Sequence, residues 1–284
     1  VWIFDALASG FRSPTDPGRL QLFRIVYGTV LTVRFALSFG QGGWKRFAPG
    51  SLSLRLAEQR FGPRRGRLLA RLYRPALIAR TTAAATLAAG IAPRLALLAV
   101  LAGAAMELLY LKNPGAVRFT LLTGACLLAA GDLGHGLTLD RHPSTANTFA
   151  QVLLVIVTTD LYWNSAFHKL RSAQFRTGLY LAQWMHAYTQ LKDQLPYRRQ
   201  HAIPAVVHQY TGNLTTRDIR LWRLVSVTVI TAEIALPFAL LIPTATPYAA
   251  AAGIGMHAAF TLLKPRQLVT FSGLTIGSYV AFAA

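Results

Sequence analysis

The sequence predicts an all-α, polytopic transmembrane bundle of about eight spans, with an amphipathic or re-entrant helix between the fifth and sixth. Three observations carry this expectation. Hydrophobic residues make up 53% of the 284-residue chain. They gather in continuous runs of about 17–22 residues, the length needed to cross a ~30 Å hydrocarbon core. The 29 Lys and Arg, against 10 Asp and Glu, fall mostly between those runs. A basic soluble protein of this charge would suggest nucleic acid as partner, but its helices should keep polar faces, and these runs do not. The expected partner is the lipid bilayer, with no nucleic acid. The runs are unbroken rather than alternating, which argues against a β-barrel.

Taken in order, the candidate spans are 20–39, 76–92, 95–111, 115–131, 149–167, 221–242, 246–263 and 267–283. Several are rich in Ala and Gly, as in TTAAATLAAGIA and AAAAGIGMHAA, and small residues let helix backbones approach closely in a membrane. No internal repeat or soluble second domain stands out, so 1–284 reads as one transmembrane domain. The single Cys126 lies within an apolar run, leaving no intramolecular disulfide or thiolate cluster to consider. No cleavable signal peptide is expected at the start.

The connections set the orientation. The segment 40–75 carries a dense series from Lys45 to Arg74, and 168–220 runs from Lys169 to Arg220 with Lys192, Arg198 and Arg199 between. With about eight spans both fall on one side, together with Lys112, Lys264 and Arg266. The positive-inside rule puts that side in the cytoplasm of a bacterial membrane and both termini outside. Within the long connection, TGLYLAQWMHAYTQL has the pattern of a helix lying against the bundle.

Ionisable residues inside spans are costly and mark candidate sites. Arg24, Arg34, Arg80, Glu107, Arg118, Asp160, Glu233 and His257 all fall within runs. Arg24 can snorkel to the headgroups, and Arg34 and Arg80 can do the same or pair with an acid. Glu233 lies deep in VITAEIALPF, four residues before Pro237, whose missing N–H frees a carbonyl one turn back. His257, in GIGMHAAF, has small neighbours that leave room for a ligand. A Glu–His or Glu–Arg pair that locks the helices is the structural alternative. The segment GDLGHGLTLDRH offers Asp132, His135 and Asp140 as ligands for a divalent metal, although the spacing matches no specific metal motif and suits a glycine turn.

The stretch YWNSAFHKLRSAQFRTG closes the fifth run with His168, Lys169, Arg171 and Arg176. Cations there serve as interfacial anchors, as a grip on a phosphate or diphosphate head, or as a site where Lys169 acts as acid or base on a lipophilic substrate.

In order along the chain, LFRIVYGTVL, GDLGHGLTLD, YWNSAFHKLRSAQFRTGLYL, RLVSVTVITAEIALPFALLIP, GIGMHAAF and FSGLTIGSYVAF resemble segments of the HTTM superfamily. This is the membrane domain shared with vitamin K-dependent gamma-carboxylase. The resemblance implies that Lys169, followed by Leu170, Phe175 and Gly178, matches the lysine that deprotonates reduced vitamin K. The histidine expected before the Asp132 position has Ala116, Val117 and Arg118 in its place, and no lumenal domain is evident, so protein glutamate carboxylation is not expected. What the resemblance implies instead is a membrane enzyme acting on an isoprenoid-type lipid in an intramembrane cavity. A lyase-type prenyl diphosphate cyclisation, as in terpene cyclases related to the carboxylase, leads. It would use Lys169, Glu233 and His257 as catalytic groups, with His168, Arg171, Arg176 and Arg118 at the substrate head. Tyr162, Trp163 and Trp184 would face cationic intermediates. The alternatives are a quinol-dependent oxygenase or carboxylase, with a reduced quinone as co-substrate, and a non-catalytic membrane partner or peptide-maturation component.

Overall fold

The computed structural model describes residues 1–40, 43–108, 115–191, 203–263 and 265–283. Their regular structure is helical, with no strand among them beyond an isolated bridge between Thr15 and Ser144. The basic positions Lys112, Lys192, Arg198, Arg199 and Lys264 lie outside the described residues. Two compact units divide the chain: Asp5–Leu153, and Leu154–Ala284 together with Val1–Phe4.

The Asp5–Leu153 unit begins in α1 (Trp2–Ala8) and is built on α2 (Gly18–Gly40), α3 (Leu52–Phe61), α4 (Pro63–Ala88), α5 (Pro93–Leu108) and α6 (Gly115–Leu128). Each of α2, α3 and α5 packs on α4, and α6 packs on α5. Gly28 sets the closeness of the first pair: a Cβ there would lie 2.8 Å from the Ala84 carbonyl oxygen of α4. Small residues thus bring the two backbones together, as the Ala- and Gly-rich pattern implies.

The segment 40–75, expected to be a connection, is largely helical. Gly62, at φ +86°, turns α3 into α4, and Pro63 occupies the first turn, where its missing N–H costs nothing. From there α4 runs through Pro75 to Ala88. Leu and Arg are good helix formers whatever their charge, so hydropathy alone placed the start of this helix too late.

Arg24 is also corrected. Its side chain is fully buried rather than snorkelled, and it donates to the Leu87 carbonyl at 2.9 Å and the Gly136 carbonyl at 2.6 Å. It thereby caps the C-terminal end of α4, where carbonyls lack intrahelical partners. Arg80 pairs with Glu107 at 2.7 Å, so of its two expected arrangements it takes the acid pair.

In the second unit, α7 (Thr148–Arg171, shared across the boundary) leads to α8 (Ala173–Arg176), α9 (Leu179–Leu191), α10 (Ala205–Thr211), α11 (Thr216–Leu241), α12 (Thr246–Leu263) and α13 (Pro265–Ser278). A short 3-10 helix follows at Tyr279–Ala281. The start of α11 is fixed by a capping box, in which the Thr215 hydroxyl accepts from the Asp218 N–H and the Asp218 carboxylate accepts from the Thr215 N–H. The helix α11 packs on α12 and on α9, and α12 packs on α13. The expected amphipathic helix is α9, which buries Ala182 and Met185 against Ile203 and Trp222.

Two described helices, Gly18–Gly40 and Thr216–Leu241, are long and apolar enough to cross a membrane. The helices α5 and α6 have 16 and 14 residues. At 1.5 Å per residue these described portions extend about 24 and 21 Å.

Candidate functional site

One face of α7 gathers the polar groups. Tyr162, Ser165 and Lys169 are spaced three and four residues apart, which in a helix aligns them on one side. Lys169 Nζ donates to Ser165 Oγ at 2.7 Å and forms a tight ion pair with Glu233 Oε1. Ser165 Oγ also donates to Glu233 Oε1, at 3.1 Å. Glu233 is only 4% exposed, so one carboxylate oxygen is held by an ammonium and a hydroxyl in a place that water barely reaches. A buried charge is tolerated on such terms. Its second oxygen, Oε2, is buried with no hydrogen-bond partner among the described residues. Pro237 is built into α11 four residues on, and the carbonyl it leaves without an intrahelical donor is that of Glu233 itself.

Tyr162 reaches a second group. Its hydroxyl lies 2.8 Å from His257 Nε2 on α12 and hydrogen-bonds the Tyr279 hydroxyl. His257 is 1% exposed, and its ring packs edge-on to Phe260 and tilted against Phe271, with centroids 5.8 and 5.7 Å away. The small residues around His257 have a specific use: a Cβ on Gly253 would run into the Tyr279 phenol. Tyr279 thus fills the space beside Gly253, whereas a Cβ on Gly255 would meet nothing within 4 Å.

The cations beyond Lys169 are arranged differently. His168, Arg171 and Arg176 are exposed at the end of α7 and on α8, and the Arg171 guanidinium lies 4.0 Å from the centre of the Phe167 ring. Lys169 Nζ lies 5.7 Å from the Phe175 ring centre. Gly178 follows at φ +78°, where any side chain is strained, and the backbone of Arg223 fills the space a Cβ would need. Phe175 and Gly178 of the lysine pattern therefore both have structural roles next to Lys169.

The other expected residues separate. Trp163 is half-exposed beside Phe238 and donates to the Ile234 carbonyl at 3.3 Å. Trp184 stacks on Tyr188 and packs with the α9 core cluster rather than with Tyr162. Arg118 is exposed on α6, and Asp160 is exposed on α7.

The residues expected to hold a metal do not converge among the described residues. Asp132, His135 and Asp140 are exposed, and their segment forms a turn. The Asp132 carboxylate accepts from Gly134 N–H at 2.8 Å and Gln21 Nε2 at 3.3 Å, and that of Asp140 accepts from His142 N–H at 2.9 Å. Among the described residues no three His, Cys, Asp or Glu side chains assemble as a metal-binding group. The carboxylates serve backbone N–H groups of a glycine turn and, for Asp132, the Gln21 side-chain amide.

Two residues went unseen in the sequence. Ser165 carried a signal, its i−4 spacing to Lys169. Tyr279 carried none, because its partner Tyr162 is 117 residues away. No family model, curated protein or solved structure matches this chain.

Proposed function

We propose that this chain is an integral-membrane enzyme that carries out acid–base chemistry on an isoprenoid-type lipid, with prenyl diphosphate cyclisation as the leading reaction. The observation that supports this is the buried Glu233 carboxylate, held by the half-buried Lys169 and Ser165 on the face of α7 that also carries Tyr162 and so meets His257 and Tyr279. Buried, charge-paired ionisable groups in an apolar setting are suited to moving protons without competition from water. In this reading Lys169 exchanges the proton, Glu233 balances its charge and Ser165 orients both. His257 provides a second proton-bearing group. The exposed cations His168, Arg171 and Arg176 receive the diphosphate head, while Tyr162 and Trp163 stabilise carbocationic intermediates.

The membrane setting draws on Gly18–Gly40 and Thr216–Leu241, with the shorter apolar helices completing a bundle of about eight spans. The basic connections would face the cytoplasm and the termini the outside.

One observation favours a second chemistry. Lys169 Nζ is engaged by Glu233 and Ser165 rather than turned to Arg171 and Arg176. That keeps Lys169 out of a diphosphate clamp, and Glu233 is placed to take its proton so that the freed amine could deprotonate a quinol.

The test is turnover of a panel of prenyl diphosphates and menaquinol by purified parent and Lys169→Ala chains, with products read by mass spectrometry. The parent is expected to convert one class, and Lys169→Ala to lose about 10²–10⁴-fold in rate, the usual contribution of a positioned acid or base. Equal conversion by both chains, or none by either, overturns the catalytic role and leaves the pair as a lock within a non-catalytic membrane partner.

A further inference from the structure

The protons of Tyr162, Tyr279 and His257 are not independent. Tyr162 Oη lies between His257 Nε2 and Tyr279 Oη, and has one proton to give. Among the described residues the Tyr279 hydroxyl bonds only Tyr162. Two orders fit this geometry for a neutral ring. In the first, Tyr279 donates to Tyr162 and Tyr162 donates to Nε2, so the ring proton sits on Nδ1. In the second, Nε2–H donates to Tyr162 and Tyr162 donates to Tyr279. The Tyr279 proton is then buried with no acceptor, and Nδ1 is a bare acceptor with no donor.

Among the described residues, His257 Nδ1 is buried and without a partner in either case. The first order therefore strands one polar group and the second strands two. Each stranded buried group carries its full desolvation cost, so the first order is favoured. It leaves an N–H donor, on a ring 1% exposed, with nothing to donate to. Glu233 Oε2 is also buried and unpaired, but it forms no bond with the imidazole and so does not supply the acceptor.

We propose that Tyr279, acting through Tyr162, fixes the proton of His257 on Nδ1, and that this N–H receives an oxygen acceptor of the bound lipid, either a phosphate or a carbonyl oxygen. Tyr279 is then a positioning residue, acting through Tyr162, and His257 a ligand-binding one. The assignment deepens the reading of this cluster as part of the lipid site, and rests on it.

The experiment uses the full chain, labelled with [15N]histidine, in lipid nanodiscs. The ring signals of His257 are identified by their loss in His257→Gln. The parent is expected to show a neutral ring protonated at Nδ1. Tyr279→Phe, which keeps the aromatic ring, should move proton occupancy toward Nε2. A parent ring protonated at Nε2, or an unchanged pattern in Tyr279→Phe, overturns the positioning role. Geranylgeranyl diphosphate and menaquinone, added separately, present phosphate and carbonyl oxygens. A shift of the Nδ1 signal with one of them identifies the acceptor, and no shift with either overturns the donor role. None of these spectra depends on turnover, so loss of the catalytic reading through Lys169→Ala would leave the proton position of His257 as a separate result.

Discussion

Lys169 and Glu233 show how much one ion pair can carry when, among the described residues, only a shared serine hydroxyl supports it. Removing one member of a buried pair leaves the other charged or desolvated without compensation, at a cost of about 3–5 kcal/mol, whereas replacing both with apolar residues is often neutral. Lys169→Met and Glu233→Leu should each lower the apparent melting temperature in detergent, and the double variant should recover most of the loss. Additive losses would mean that the two side chains do not depend on one another. The residues of this cluster were unevenly legible. Glu233 and His257 stand out in the sequence because ionisable groups in apolar runs call for an explanation, whereas Lys169 and Tyr162 stand out through the family resemblance. That Lys169 pairs with Glu233, 64 positions away, was not readable, since a single chain encodes helix faces but not which faces meet.

Elements were read well where hydropathy and helix coincide and poorly where they part. The runs at 20–39, 149–167, 221–242 and 246–263 correspond to α2, α7, α11 and α12. The charged stretch before residue 76 hid the first half of α4. Propensity favoured a helix there, but charge suggested a loop. The turn from α8 into α9 depends on Gly178, whose positive φ and contact with the Arg223 backbone leave no place for a side chain. Gly178→Ala should cost about 1–3 kcal/mol through backbone strain, with a further steric contribution. It should also displace Phe175 from Lys169, which lies 5.7 Å from that ring. Unfolding in denaturant, together with tryptophan fluorescence from the adjoining Trp222 region, would measure both, and an unchanged midpoint would show that the turn relaxes freely.

At the scale of the whole molecule, the predicted orientation is open to direct measurement. A reporter fused to the C-terminus should be active outside the cytoplasm, following the positive-inside distribution of the basic connections. Cytoplasmic activity would reverse that orientation, and release of the chain from membranes by alkaline carbonate would remove the membrane assignment. Composition and run length by themselves determined an all-helical chain with long apolar helices, because backbone groups in apolar runs must satisfy their hydrogen bonds within the segment. They also determined which polar residues stand out against that background. Only the tertiary structure decided that Glu233 meets Lys169 and Ser165 and that His257 meets Tyr162 and Tyr279. It likewise showed that Asp132 and Asp140 serve a turn. Those outcomes depend on which helix faces pack together across long stretches of chain, and on which hydrogen bonds remain available once they do.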